Sequence, residues 1–216
     1  GHTMHTVLSN AAQPFATSSY SIFVAEVASM TNEDLFLDLL LEREADPDRR
    51  IALLQHAIDD IAAGFYRQAM FADFELQAHR EVEQGRPITA EVLQGLYLGI
   101  LGEFFGSSLD DQDWYRNTWA RIPHFFGSPF YVFQYATSKA AASLVHKRMT
   151  EGGAEERASA VSRYLDLLRS GGSDHPIKLL QKASVDFDTS EPVDALVATM
   201  EGLVGRLEQE LEAASS

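Results

Sequence analysis

The sequence predicts an all-α, multi-helix fold, and three observations carry that expectation. Apolar residues recur at intervals of three and four along most of the chain, as they do on the buried face of a helix. No segment sustains the apolar/polar alternation and β-branched enrichment of a half-buried strand. Helix start and stop residues fall between the periodic runs, with Asp46 before Pro47 and Thr89 before Glu91 as two starts.

Residues 1–9 read as the end of a helix, broken by Asn-Ala-Ala-Gln-Pro at 10–14. A second helix is expected from about Ser21 to Glu44, with Ile22, Val24, Val27, Met30, Leu37 and Leu41 on its apolar face. Asp46 can cap the next one, and Pro47 suits a first turn because its missing N–H would be unbonded there anyway. A long helix then covers roughly 48–84, until GRPITAE at 85–91 ends it and caps a further helix at Thr89. GSSLDDQDW at 106–114 reads as a loop, and HFFGSPFYVFQY at 124–135 is aromatic and irregular before merging into a helix through Met149. Glu-Gly-Gly at 151–153 breaks that helix. Another ends at RSGGSDHP, 169–176, and the last spans about 191–213, with the terminal Ala-Ala-Ser-Ser fraying.

At 216 residues the chain fits one large domain or a substantial piece of a larger one. A hydrophobic share of 45% is ordinary for a globular core. No apolar run approaches the ~18 residues of a membrane span, so no membrane partner is expected. The chain has no cysteine, which excludes disulfides and thiolate metal ligands and fits a reducing, cytoplasmic setting. The formal net charge of −15 argues against a nucleic-acid partner, because phosphate binding draws on Lys and Arg; its simplest role is solubility. No internal repeat or low-complexity linker is present.

Few residues are candidates for chemistry. His2 and His5 are spaced to face one way on a helix, as metal ligands or as a surface accident. Glu26 is a carboxylate in an otherwise apolar helical stretch, where it needs a cation or a hydrogen-bond network. Glu33 follows it two turns along the same face. Glu75 and His79 are spaced for an intrahelical hydrogen bond. The segment from His124 to Tyr135 is either core with a turn or the wall of a cleft, in which His and Tyr could donate to a developing oxyanion and Phe rings could shape subsites.

GHTMHTVLSNAAQP followed by YSIFVAEVASMTNEDL resembles the oligoendopeptidase F family of zinc metallopeptidases, relatives of thimet oligopeptidase. The resemblance continues through RQAMFADFELQAH, HFFGSPFYVFQYATSKAAA and SGGSDHPIKLLQKASVDF, and so spans nearly the whole chain. In that family an active-site helix carries His-Glu-x-Gly-His, and a glutamate in a Phe-x-x-Glu-x-x-Ser context supplies the third zinc ligand one helix later. Gly1 and His2 match the end of the first motif. The resemblance therefore implies that His-Glu-x and an N-terminal portion precede Gly1, and that residues 1–216 are the C-terminal part of the catalytic domain. One departure is Ser184, where family members often have glycine.

The resemblance implies a Zn²⁺ endopeptidase of short, unfolded peptides, reached through a deep channel in a mostly helical shell. His2 would be the second zinc histidine and Glu26 the third ligand; the first histidine and the general-base glutamate would lie before Gly1. His124, Tyr131 and Tyr135 would stabilise the tetrahedral oxyanion. His5 would be structural or support the ligands, and Glu33 would accept the second N–H of His2. The chain alone, with two of three ligands, is expected to bind zinc weakly and hydrolyse nothing. Two rival readings differ in class. A helical di-metal carboxylate protein using Glu26, Glu33, Glu75 and His79 lacks the repeated Glu-x-x-His arrangement such sites use. A noncatalytic helical interaction or metal-binding domain derived from such a peptidase is the other.

Overall fold

Ten α-helices, joined by short 3₁₀ turns and one π turn, make up the computed structural model, which describes residues 1–109 and 112–215. No strand occurs among the described residues, as the periodicity predicts. The helices are α1 (His2–Ala12), α2 (Ile22–Arg43), α3 (Pro47–Ile61), α4 (Arg67–Glu83), α5 (Ala90–Phe105), α6 (His124–Gly127), α7 (Phe133–Thr150), α8 (Ala154–Arg169), α9 (Pro176–Lys182) and α10 (Glu191–Ala214). No described helix is long and apolar enough to cross a membrane.

The starts follow the local chemistry. Ser21 accepts a hydrogen bond from the Phe23 N–H at 3.2 Å, and Thr89 accepts one from Val92 at 3.3 Å. Asp46 accepts from Asp48 and Arg49, with Pro47 in the first turn as expected. Each cap satisfies a donor that the first turn leaves without an intrahelical partner.

Four expectations need correction. α1 runs on through Ala12, because nothing in Asn10-Ala-Ala forbids helix and Pro14 is the first residue that cannot continue it. The long helix over 48–84 is three segments, with a wider π turn at residues 62–66 between α3 and α4. α9 was not expected at all: Pro176 starts it immediately after a turn-rich stretch. The end does not fray where anticipated, since α10 holds through Ala214; Ser216 lies outside the described residues. In the 106–114 loop, Gly106–Ser108 and Gln112–Tyr115 form 3₁₀ turns, and Asp110 and Asp111 lie outside the described residues.

The chain divides into two compact units, Gly1–Ala62 with Thr137–Ser216, and Ala63–Ala136. The core of the first is built from α2, the later part of α7, α8 and α9. Val27 and Leu180 are fully buried there, and small residues of α7, Ala141 and Ala142, let helices approach closely. The loop after α8 is pressed against the segment before α2. A Cβ on Gly171 would lie 2.3 Å from the Thr17 carbonyl oxygen, so only glycine fits, and the Gly172 N–H donates to that oxygen at 2.8 Å. The core of the second unit is aromatic. Phe74 meets Tyr97 edge to face at 5.5 Å, with Phe71, Ile100 and Val132 around them.

Candidate active site

In the first unit, α1 begins against the middle of α2. A Cβ on Gly1 would lie 2.2 Å from the Ser29 Cα and 2.6 Å from the Ala28 carbonyl oxygen, so the approach requires glycine. That contact carries the first turn of α1 onto the face of α2 that holds Glu26. His2 Nε2 then stands 3.5 Å from Glu26 Oε2.

This separation exceeds the 2.7–3.2 Å usual for a hydrogen bond. It is close to the edge of a tetrahedron with zinc–nitrogen and zinc–oxygen bonds of about 2.0–2.2 Å, roughly 3.4 Å. An imidazole nitrogen and a carboxylate oxygen are also the donor types zinc takes. The pair therefore fits a zinc ion between them. Ser29 Oγ donates to the same Glu26 oxygen at 2.9 Å and fixes the carboxylate. Glu26 is largely buried, while the His2 side chain is 53% exposed in these 216 residues. Among the described residues no cluster of three His, Asp or Glu completes a metal site, which also leaves the di-metal reading without a centre.

His5, one turn on, is fully buried, and neither ring nitrogen has a hydrogen-bond partner among the described residues. Its ring stacks on Tyr20 at 3.5 Å and 7°. The Tyr20 hydroxyl in turn donates to the His2 carbonyl oxygen at 3.4 Å and lies 2.7 Å from Thr6 Oγ1. Burial, helped by the nearby His2, lowers the His5 pKa to about 4, so the imidazole is neutral at physiological pH.

Glu33 does not reach His2. It faces a cavity of about 700 Å³ between α2, α3, α7 and α10, lined by Leu37, Leu53 and Leu203 beside Asp60 and Lys139. Burial raises the Glu33 pKa, against the opposing pull of Lys139. Lys139, 2% exposed, donates to Asp60 at 2.7 Å and Asp34 at 3.3 Å. Burial acts against the lysine's charge, yet the two carboxylates hold its pKa above the ordinary value. His146 Nε2 sits 2.7 Å from Asp38 Oδ2. Sequence reasoning missed this network, although a lone long side chain in Ser-Lys-Ala-Ala-Ala-Ser at 138–143 was a visible signal.

In the second unit, three predicted residues come together. The His124 ring opens α6 and stacks on Tyr131 at 5.3 Å and 18°. Tyr135, in the first turn of α7, stands edge-on to both, 6.1 Å from His124 and 5.4 Å from Tyr131. The expected Glu75–His79 hydrogen bond is replaced by a different arrangement. Glu75, 4% exposed, accepts the Phe130 N–H at 2.7 Å, and the His79 ring packs on the Phe130 ring at 4.5 Å. A backbone donor 55 residues away won over the neighbour on the same helix.

Comparison with known proteins gives one consistent result. The sequence profile of Peptidase family M3 matches residues 1–199. The chain is 36% identical over 208 residues to the group B oligopeptidase PepB of Streptococcus agalactiae, covering 96% of this chain and 34% of that protein. It is 36% identical over 209 residues to the oligopeptidase PepF of Bacillus subtilis, covering 97% of this chain and 30% of that protein. The crystal structure of oligoendopeptidase-F from Enterococcus faecium superposes with a TM-score of 0.83 at 33% identity, over 99% of this chain and 38% of that one. The chain thus spans about a third of the length of the curated relatives it matches.

Proposed function

The chain belongs to Peptidase family M3, and from that premise we propose that it supplies two zinc-binding side chains and the oxyanion-side aromatics of an endopeptidase acting on short, unfolded peptides. The observation that carries this reading is the convergence of His2 Nε2 and Glu26 Oε2 to 3.5 Å, a spacing that suits a shared ion better than a direct bond. The peptide class follows from the names of the relatives, which are oligopeptidases and oligoendopeptidases. The setting is cytoplasmic, in keeping with a chain free of cysteine.

The residues divide the work. His2 and Glu26 hold the metal, and Ser29 orients the Glu26 carboxylate through its hydroxyl. Tyr20 holds the backbone of His2 in place from the α1–α2 connection. His124, Tyr131 and Tyr135 offer an N–H and two phenols to the oxygen that gains charge as the peptide carbonyl becomes tetrahedral. Zinc, when bound, would polarise that carbonyl and bring a water's pKa toward neutrality. Two protein donors hold zinc weakly, so the 216 residues by themselves are inactive and the activity belongs to a protein of the relatives' length.

The experiment is a paired measurement of zinc content and cleavage of a quenched peptide in an enzyme of that length carrying this sequence. His2→Ala and Glu26→Ala should each abolish both together, because a catalytic site has no spare ligand. Stoichiometric zinc in Glu26→Ala would contradict the assignment. Zinc binding without cleavage in the unaltered enzyme would favour a noncatalytic metal-binding domain.

A further inference from the structure

Among the described residues Glu75 is the one carboxylate residue that is buried outright. A carboxylate taken out of water needs strong hydrogen-bond donors, and this one takes the Phe130 N–H at 2.7 Å. Phe130 is an unusual partner. Its φ of +56° lies in the left-handed region that a residue with a Cβ adopts only under constraint. It directly precedes Tyr131, and Val132 beyond it is sunk in the core at 1% exposure. From the same face of α4, one turn on, the His79 ring packs on the Phe130 ring. Helix α4 therefore grips Phe130 twice, by its backbone through Glu75 and by its ring through His79. This accounts for the spacing of Glu75 and His79 without any bond between them.

We propose that Glu75 is a positioning residue: its carboxylate clamps the Phe130 N–H, holds the loop in its left-handed turn, and thereby sets Tyr131 against His124. The proposal rests on the reading of His124, Tyr131 and Tyr135 as oxyanion groups. Without the clamp, Phe130 relaxes to negative φ and Tyr131 leaves the His124 ring. A displacement of about 1 Å in a catalytic group can cost roughly 10²-fold in rate.

The test reads position and rate separately. In the 216-residue chain, stacking on Tyr131 should shift the His124 ring protons upfield in a ¹H–¹³C spectrum. Glu75→Leu should abolish that shift while the helical circular dichroism persists. Adding Phe130→Gly, which adopts positive φ without strain, should restore it. An unchanged His124 shift in folded Glu75→Leu overturns the clamp. Should Glu75→Leu lose its helical signal, Glu75→Met decides, since it keeps the length of the side chain and removes the carboxylate acceptor: a weakened shift supports the clamp and an unchanged one overturns it. In an enzyme of the relatives' length, Glu75→Leu should lower kcat about 10²-fold with KM within twofold. An altered shift with unchanged kcat would overturn the oxyanion reading while leaving the clamp intact.

Discussion

The two groups of candidate residues are held in place by different physics. In the first unit, His2 meets Glu26 because backbone touches backbone: Gly1 lies against Ala28 and Ser29 with no room for a methyl group. In the second, His124, Tyr131 and Tyr135 meet as rings, and the loop between them is tied down by a buried carboxylate. The first arrangement is thus sensitive to a single carbon atom at position 1. The second is a set of half-buried rings whose loop is held by the Glu75 hydrogen bond to the Phe130 N–H and by the His79 ring packed on Phe130. Metal donors need fixed separations to within tenths of an ångström, which rigid helix contact provides. Oxyanion donors need direction, which a loop can supply if something else determines its conformation.

The largest effect tests the second group. In an enzyme of the relatives' length, Tyr131→Phe or Tyr135→Phe should lower kcat by roughly 10²–10³ with zinc content and KM nearly unchanged, because a phenol aimed at the oxyanion gains most in the transition state. The two positions need not both respond. If neither they nor His124→Ala moved kcat, the aromatic triad would be core wall, and the contrast between the groups would reduce to one site and one packing motif.

The next effect separates two histidines on different helices, His5 on α1 and His146 on α7. His5 is buried and its pKa lowered to about 4, so between pH 6.5 and 4 the unfolded chain binds a proton that the folded chain refuses. Stability should therefore fall as pH drops through that window, by about 3 kcal/mol at most, and level off below it. His146 has the opposite sign: although burial opposes its charge, the hydrogen bond and charge of Asp38 raise its pKa. Its contribution is fully present below the unfolded value of 6.5 and is lost as pH rises through the folded value. Thermal melts across pH should show the acid-side loss shrink in His5→Phe and the alkaline-side loss shrink in Asp38→Asn. An acid-side slope unchanged in His5→Phe would show that His5 is not the group whose protonation drives the acid-side loss.

How much of this was legible in the sequence follows from what each feature depends on. The α2, α3 and α5 starts were readable because caps act locally, through Ser21, Asp46 and Thr89. The His2–Glu26 pairing was readable only through the family resemblance, since periodicity places Glu26 on an apolar face but says nothing of which helix lies opposite. The need for glycine at position 1 is invisible in one dimension, because its reason is the backbone of Ser29. Glu75 was singled out for a partner four residues away and found one 55 residues away, the usual failure of local pattern at a buried charge. The π turn at 62–66 left no signal that we recognise.

A smaller effect probes the first group directly. Gly1→Ala must move the start of α1 by about an ångström to bring a 2.2 Å approach to ordinary contact. Zinc affinity in the 216-residue chain, followed by titration calorimetry, should fall at least tenfold, while helical content and melting of the second unit stay as they were. Unchanged affinity would mean that His2 reaches Glu26 by side-chain adjustment, and the claim of backbone control would fail.

The smallest effect lies away from both groups and asks whether strain elsewhere bears on them. α4 and α9 end the same way. In each, the N–H two residues past the last full turn bonds back across it: Arg86 to the Glu81 carbonyl and Val185 to Leu180, both at 2.9 Å. The residue in the left-handed position is Gly85 in one case, at φ +74°, and Ser184 in the other, at +64°. A serine there bears the steric cost that glycine avoids, about 1–2 kcal/mol. The hydrogen bonds at Ser184 are made by its backbone: its N–H donates to the Gln181 carbonyl, and its own carbonyl accepts from Arg148. Ser184→Gly keeps both bonds and relieves the strain, against a loss of about 0.4–1 kcal/mol from the greater freedom of glycine in the unfolded chain. The net should be a gain of up to about 1 kcal/mol, or roughly 2–4 °C in Tm for a chain of this size. Zinc affinity and the His124 ring shift should not move, since neither group draws on this cap. A lower Tm would show that the serine side chain contributes more than its backbone conformation costs, and that its place in a position suited to glycine is compensated locally.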